Sequence, residues 1–410
     1  AYVDHPSFGP VGIARVLEAE GHRVAILAQP PWHDASAFRA MGRPRLGVFI
    51  GGGNLDSMVA HYTAGKKHRG EDFYSPGKKT GLRPDRATIV YANRAREAFP
   101  GLPIVIGGLE ASLRRFAHYD YWSDTVRRAI LFDAKADLLT YGMGETATIE
   151  IARQLAAGIP VGGIRDVRGT SYIARDASDC RFPATECPSY EEVKADKTAY
   201  ARANMIQYDE HDPIRGRAIL QRCGDRLLVT NPPQMPLSTA EFDRVSELPY
   251  TRDPHPMYEP LGGVPAIDEV RFSIIHNRGC FGACNFCSLA FHQGRMITCR
   301  SQDSVLREAE LLTKHPLFKG YIHDVGGPTA NFRHPSCSKQ LKHGMCRGRN
   351  CLTPVPCRNL DADHSDYLAL LRELRALPGI KRMSAVLARL FACSRYTCRV
   401  AHSSMPWASS

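Results

Sequence analysis

Apolar positions in the first third of the chain switch between helical and strand spacing. Ile13, Val16 and Leu17 share one helical face that stops at Gly21, and the run Val24-Ala25-Ile26-Leu27 then predicts a strand. Residues 46–50 predict the next strand, opening into Gly51-Gly52-Gly53. A helix over 85–98 leads to a strand at 104–106 and the turn Gly107-Gly108. Residues 138–141 then run into Gly142-Met143-Gly144-Glu145 and a helix ending near Gly158. This alternation predicts a doubly wound α/β domain over residues 1–170, with ligands expected where glycine turns follow the strands. Gly142, Gly144 and Ala147 also fit G-x-G-x-x-A, with Asp166 about 20 residues on. The motif falls on the last strand–helix unit rather than the first, which favours a tight turn over a dinucleotide site.

Residues 171–265 predict a connecting segment: a helix at 189–203, a strand pair at 217–230, then Pro232, Pro233, Pro236, Pro249, Pro254, Pro256, Pro260 and Pro265. Proline fixes φ and lacks a donor, so this stretch predicts an extended strap. Phe272-Ser273-Ile274-Ile275 predicts a strand, and Ser301 caps a helix carrying Val305, Ala309 and Leu312. A strand over 320–325 ends in Gly326-Gly327-Pro328-Thr329, and a helix with Tyr367, Leu370, Leu371 and Leu374 stops at Pro378-Gly379. Residues 266–385 thus predict a second α/β domain, while 386–410 is Ser/Arg/Cys-rich with no strand–helix alternation.

Composition narrows the class. The 410 residues are 43% hydrophobic and 23% charged, ordinary for a globular chain with two or three cores. No run of about 18 apolar residues is present, so no membrane contact is expected. Thirteen cysteines without a leading signal pattern suit a reducing cytoplasm and metal ligation. The net charge of +11 favours a polyanion such as RNA, although dispersed charge equally describes a basic surface. Arg114-Arg115-Phe116-Ala117-His118-Tyr119-Asp120-Tyr121-Trp122 mixes cations and aromatics, with nucleic-acid stacking as one reading and an interface or solvated face as the other.

The cysteines carry the chemistry. Cys280, Cys284 and Cys287, spaced C-x3-C-x2-C directly after a strand, can bring three thiolates to one side of a single loop. Three thiolates suit an iron–sulfur cluster with one iron left open to another ligand. Buried or disulfide-paired cysteines are the competing reading. Cys337, Cys346, Cys351 and Cys357, spaced x8, x4 and x5 in a Lys/Arg-rich loop, suggest a second metal site for zinc or an auxiliary cluster, against free thiols. Cys180, Cys187 and Cys223 have no ligand spacing and read as structural.

The hairpin resembles the radical S-adenosylmethionine (SAM) signature C-x3-C-x-aromatic-C, with Phe286 at the aromatic position. Longer phrases resemble the YgiQ family of radical SAM proteins. They are Tyr2-Val3-Asp4-His5-Pro6-Ser7-Phe8-Gly9, Asn231-Pro232-Pro233, Arg278-Gly279-Cys280-Phe281-Gly282, His292-Gln293-Gly294-Arg295, Arg300-Ser301, Asp324-Val325-Gly326-Gly327-Pro328-Thr329-Ala330-Asn331 and the Cys337–Cys357 loop. The resemblance implies a cobalamin-binding-like N-terminal domain and a radical SAM β/α barrel. It implies a [4Fe–4S] cluster on Cys280, Cys284 and Cys287, with SAM on the open iron and Phe286, Gly326 and Gly327 against SAM. His292 and Arg295 are candidates for lining the site. It further implies an electron donor such as flavodoxin or ferredoxin and reductive cleavage of SAM to a 5′-deoxyadenosyl radical. Neither the catalytic residues nor the substrate is implied. The cobalamin-ligating form carries D-x-H-x-x-G; here His5 stands one position early in Asp4-His5-Pro6-Ser7-Phe8-Gly9, which argues against cobalamin ligation.

The likeness covers residues 1–383 and ends there, and the chain opens at Ala1, so the sequence reads as truncated at both ends. A barrel cut after two and a fraction units predicts an exposed sheet edge and poor solubility. Two further functions stay open: an RNA-modifying enzyme of the methylthiotransferase kind, and an inert metal-binding fragment.

Overall fold

The computed structural model describes residues 1–282, 284, 286–328, 332–353 and 355–384. The tail expected over 386–410 lies outside the described residues. The chain forms two compact units, residues 1–235 with 248–271, and residues 236–247 with 272 onward.

The first unit is built on a seven-stranded sheet. In chain order its strands are β1 (Val48–Gly51), β2 (Ile104–Gly107), β3 (Leu138–Thr140), β4 (Thr170–Ala174), β5 (Ala184–Cys187), β6 (Ala218–Cys223) and β7 (Arg226–Thr230). Their order across the sheet is β1-β2-β3-β4-β7-β6-β5. The α/β expectation holds, but the sheet is mixed: β1, β2 and β3 run parallel, β4 joins β3 antiparallel, and β6 and β7 form an antiparallel hairpin. Its core packs Val105, Leu138, Ile151, Tyr172 and Val229, all nearly inaccessible, against one another.

Three expectations need correction here. Residues 22–28 are no strand: they alternate partly buried and exposed positions as an edge strand would, with Leu27 37% exposed, but pair with nothing in the sheet. The domain boundary falls at 271 rather than 170, because residues 170–230 supply four strands to the same sheet. The helix read at 189–203 is two, Tyr190–Ala195 and Lys197–Glu210, broken at Asp196, whose carboxylate accepts from the amides of Thr198 and Ala199.

The proline-rich stretch is also more than a strap. Between its prolines lie apolar residues that both units bury. Ser238 and Glu241 form a reciprocal cap that starts the helix Thr239–Ser246 in the second unit, where Phe242 is 1% exposed. Residues 248–271 return to the first unit, where Tyr258, Val264 and Ile267 pack with Val3, Phe8 and Val11.

In the second unit Ser273–Ile275 runs parallel to Asp324–Gly326, and Tyr321–Ile322 runs parallel to Arg382–Met383. Helices Gln302–Thr313 and Ser365–Ala376 fill the connections. Strand, helix, parallel strand is the repeating unit of a β/α barrel, and residues 382–383 lie where a third strand is expected. Phe272, Ile274, Val305, Leu312, Ile322, Val325, Leu370 and Leu374 form the core between strands and helices.

Candidate metal centre

Two loops leave the same end of adjacent parallel strands in the second unit. Ile275 pairs with Gly326, and the His276 amide donates to the Gly326 carbonyl at 2.9 Å. After Ile275 the chain enters Asn277-Arg278, which pairs antiparallel with Thr298-Cys299, and then the cysteine hairpin. After Gly326 it enters Gly327-Pro328. The hairpin and the Gly-Gly turn are therefore neighbours because parallel pairing aligns the carboxyl ends of their strands.

The hairpin is held from one side by the phrase that follows it. Gln293 Oε1 accepts from the Gly279 amide at 3.1 Å, and the Gly294 carbonyl accepts from the Cys280 amide at 3.0 Å. Gly279 has φ +83°, and a Cβ there would lie 2.0 Å from the Met296 carbonyl oxygen, so only glycine passes. Phe281 is 1% exposed and meets the Phe332 ring edge-on at 4.8 Å, anchoring the hairpin to a small core with Ile297 and Met345. Gln293 and Gly294, which accept the two bonds from Gly279 and Cys280, lie between His292 and Arg295, the candidates for lining the site. Arg295 is buried and His292 half-buried.

Cys280 is buried, and its thiol is pushed up to about 11 by that burial, with the nearby Cys287 and Cys284 adding to the rise. The Cys287 amide donates to the Cys284 carbonyl at 3.0 Å, which folds the hairpin into one turn, and none of the three thiols is in a disulfide. Among the described residues no three His, Cys, Asp or Glu side chains converge to hold a single metal ion. A four-iron cluster presents separate iron corners to its ligands and does not require the sulfurs to meet at one point. Three soft donors on one glycine-flanked loop fit that group chemically. Phe286, at the signature's aromatic position, is 77% exposed beside them.

At the neighbouring turn Asn277 is fully buried, its Nδ2 donating to the Phe332 carbonyl at 2.7 Å. Its Oδ1 has no hydrogen-bond partner among the described residues. That oxygen lies where a Cβ on Gly327 would sit, 1.7 Å from it, so the turn leaves an acceptor beside Gly327. Beneath both loops Arg300 is 1% exposed and ties the first strand to the helix after it. Its amide donates to the His276 carbonyl, its Nη2 to the Ser304 carbonyl at 2.9 Å, and its Nη1 to Glu308. Arg333 adds a donor from Nη2 to the Arg300 carbonyl at 2.7 Å, and its Nε bonds Asp366 at 2.6 Å.

In the first unit, His5 is completely buried. Nδ1 accepts from the Ser7 amide at 3.1 Å, and Nε2 lies 3.0 Å from Arg252 Nη1. Asp4 pairs with Arg15 at 2.5 Å. The Asp4-His5 pair thus serves the packing of residues 248–271 on the amino terminus, and neither ring nitrogen faces an open site. The Arg114–Trp122 run divides likewise: Arg114 pairs with Asp56, Arg115 is buried over the Tyr141 ring at 4.6 Å, and only Tyr119 and Tyr121 stand exposed. Cys187 is buried and its thiol is pushed up to about 12 by burial, as befits a structural cysteine.

Comparison with known proteins agrees with this architecture. The family described as radical SAM N-terminal matches residues 1–273, ending just before the cysteine hairpin. A UPF0313 protein of Clostridium botulinum (strain ATCC 19397 / Type A) is 56% identical over 383 residues, 93% of this chain and 59% of the relative. One from Clostridium perfringens (strain ATCC 13124) is 53% identical over 383 residues, 93% of this chain and 58% of its own length. The chain thus spans about three-fifths of the curated relatives it matches. A solved radical SAM methyltransferase, TsrM from Kitasatospora setae with cobalamin and a [4Fe–4S] cluster bound, overlays 79% of this chain and 45% of its own at 15% identity and a TM-score of 0.41. That degree of likeness carries no residue-level meaning for this chain. Among the described residues no helix is long and apolar enough to cross a membrane. The relatives carry the UPF0313 name, that of the YgiQ family, and with 273 of its 410 residues matched the chain belongs to the radical SAM N-terminal family.

Proposed function

We propose that this chain is the cluster-bearing part of a radical SAM enzyme, with Cys280, Cys284 and Cys287 as the ligands of a [4Fe–4S] cluster and SAM as the partner of its open iron. The observation that supports this most is the alignment of Ile275 with Gly326, which sets the three-thiol hairpin and the Gly326-Gly327 turn at one end of two parallel strands. When bound, such a cluster supplies one electron to SAM, breaking a sulfonium C–S bond to give methionine and a 5′-deoxyadenosyl radical. This chain's own residues do the binding and orienting. The Gln293 and Gly294 contacts fix the start of the hairpin, and Phe281 seats it on the core. Asn277 Oδ1 and the Gly327 backbone offer acceptors for the SAM ammonium, at a site where burial leaves that oxygen in want of a donor. Phe286 is exposed beside the thiols, free to cover an adenine ring.

The test is anaerobic reconstitution with iron and sulfide, reduction, and an EPR spectrum with and without SAM. A reduced cluster signal that changes on SAM addition in the native chain, and is absent in Cys284→Ala, is the expected result. A cluster whose spectrum ignores SAM would refute the open-iron assignment. If no cluster forms at all, the ligand assignment is wrong.

A further inference from the structure

The loop over residues 332–364 carries four cysteines that the hairpin chemistry does not use. Among its described residues the only helix is the five-residue turn Lys339–His343, and the rest is irregular. A loop of that length inside a compact unit needs a reason to hold its shape. Its apolar anchorage is slight: Phe332, Met345, Leu352 and Leu360 gather behind Phe281 with Cys351 among them.

The contacts of this loop link Cys337, Cys351 and Cys357 to one another and place the neighbour of Cys346 in the same small core. Ser336, next to Cys337, sets its Oγ 3.2 Å from Cys351 Sγ. Gln340 donates its amide to the Cys337 carbonyl at 3.2 Å and brings Nε2 to 4.0 Å from the same Cys351 sulfur. The Cys357 amide donates to the Cys351 carbonyl at 2.9 Å. Met345, next to Cys346, belongs to the small core that Cys351 packs against. All four are free thiols: Cys346 is exposed and the other three are half-buried. Lys339, Lys342, Arg347, Arg349 and Arg358 flank them in the sequence, a positive field suited to a centre of net negative charge.

We propose that Cys337, Cys346, Cys351 and Cys357 form a structural zinc site that staples this loop to the core behind Phe281, distinct from the three-cysteine hairpin. Four thiolates give zinc its closed tetrahedral shell, with no position left for substrate. Zinc also has no redox change, which suits a site with one ligand as exposed as Cys346. Among the described residues no three of these side chains converge on a point, so closing the tetrahedral shell requires the four sulfurs to move toward one another. The metal displaces the thiol protons, which pass to solvent.

The test uses the full chain, purified anaerobically from zinc-supplemented culture without iron reconstitution, with zinc and iron measured by mass spectrometry. About one zinc per chain is expected in the native protein. The same zinc is expected in the variant Cys280→Ala/Cys284→Ala/Cys287→Ala, and its loss in Cys337→Ser/Cys351→Ser. To avoid reliance on folding of that last variant, the native chain is titrated with a mercurial in the presence of a zinc-sensing dye, and zinc should appear as thiols are consumed. A native chain without zinc overturns the proposal, as does zinc retained in Cys337→Ser/Cys351→Ser. Iron retained by the hairpin-free variant would show an auxiliary cluster instead and equally overturn it. The hairpin assignment stands or falls separately, on its EPR signal.

Discussion

Single atoms decide whether the hairpin can form. At Gly279 a methyl group would strike the Met296 carbonyl oxygen and demand a left-handed backbone from an ordinary residue. Gly279→Ala should therefore cost about 1–3 kcal/mol of stability. It should also lower iron retention after reconstitution, measured against the native chain under the same reduction. An alanine variant that keeps full iron content and thermal midpoint would mean the hairpin tolerates a different path. His5 makes a residue-scale statement about pH. Burial, then the nearby Arg252 guanidinium, pushes its pKa down to about 3, so the ring is neutral in the folded chain. An unfolded histidine takes up its proton near pH ~6.5. Between these values the unfolded chain binds the extra proton, so its stabilisation is complete above that window and lost as the pH falls through it. The slope is about 1.4 kcal/mol per pH unit for such a group. His118, pushed down to about 4 chiefly by burial, acts with the same sign. Urea midpoints for His5→Gln should decline less steeply than the native chain's between about pH 6 and about pH 4; parallel declines would show that His5 carries no such linkage.

Among the elements, the first strand of the second unit and the helix Gln302–Thr313 are joined by Arg300 as well as by apolar contact. Its guanidinium reaches Glu308 and the Ser304 carbonyl, and its own backbone bonds His276. Arg300→Ala leaves the Glu308 carboxylate, itself only 6% exposed, without that cation. Breaking a buried pair from one side costs about 3–5 kcal/mol. The variant is expected to lower the urea midpoint accordingly, and Arg300→Ala/Glu308→Leu to recover part of it. No recovery would locate the loss in the guanidinium's bonds to Ser304 and to the Ile275 carbonyl instead. The strands and helices themselves were largely legible. The parallel strand ends before Gly51, Gly107 and Gly326 show as short apolar runs closed by glycine. The helices stand out by spacing and by caps such as Ser301. Less legible was pairing: an apolar run at 24–27 looks the same whether or not a neighbour accepts its hydrogen bonds, and nothing local marks β4 as turning antiparallel. Arg300 was visible only as part of a phrase, since burial and a partner eight residues away cannot be seen without the helix that brings Glu308 round. The cysteine hairpin was plain because ligand spacing is local. Gln293 and Gly294 were missed because their work is done through one side-chain amide and one backbone carbonyl.

For the whole molecule, the path of the chain matters more than either unit. It leaves the first unit after 235, returns at 248, and leaves again after 271. A protease site inserted between Glu247 and Leu248 would give two fragments, each contributing to both units. Residues 248–271 bind the amino terminus through Asp4 and Asp253, whose backbone bond is 3.0 Å, and through Arg252 to the Asp4 carbonyl at 2.7 Å. Helix Thr239–Ser246 binds the second unit through Asp243 to the Ser301 amide at 3.0 Å and Phe242 beneath Arg278. The nicked chain should elute as one species in native gel filtration and part only in denaturant. Separation on nicking would mean that these contacts do not suffice to hold the fragments together.

That excursion has a meaning during synthesis. Helix Thr239–Ser246 leaves the ribosome well before its partner, since Ser301 follows Ser246 by 55 positions (301 − 246). At about 5–20 residues per second that is a wait of roughly 3–11 s. Through that interval Phe242 has no core to enter, while the strands of the first sheet, all before residue 231, are already made. The nascent protein therefore carries an unpartnered apolar helix while the strands of the first sheet are already made, and a trigger-factor-like chaperone would find its binding site there on ribosomes stalled after the helix has emerged and before Ser301 has, and not on those stalled later.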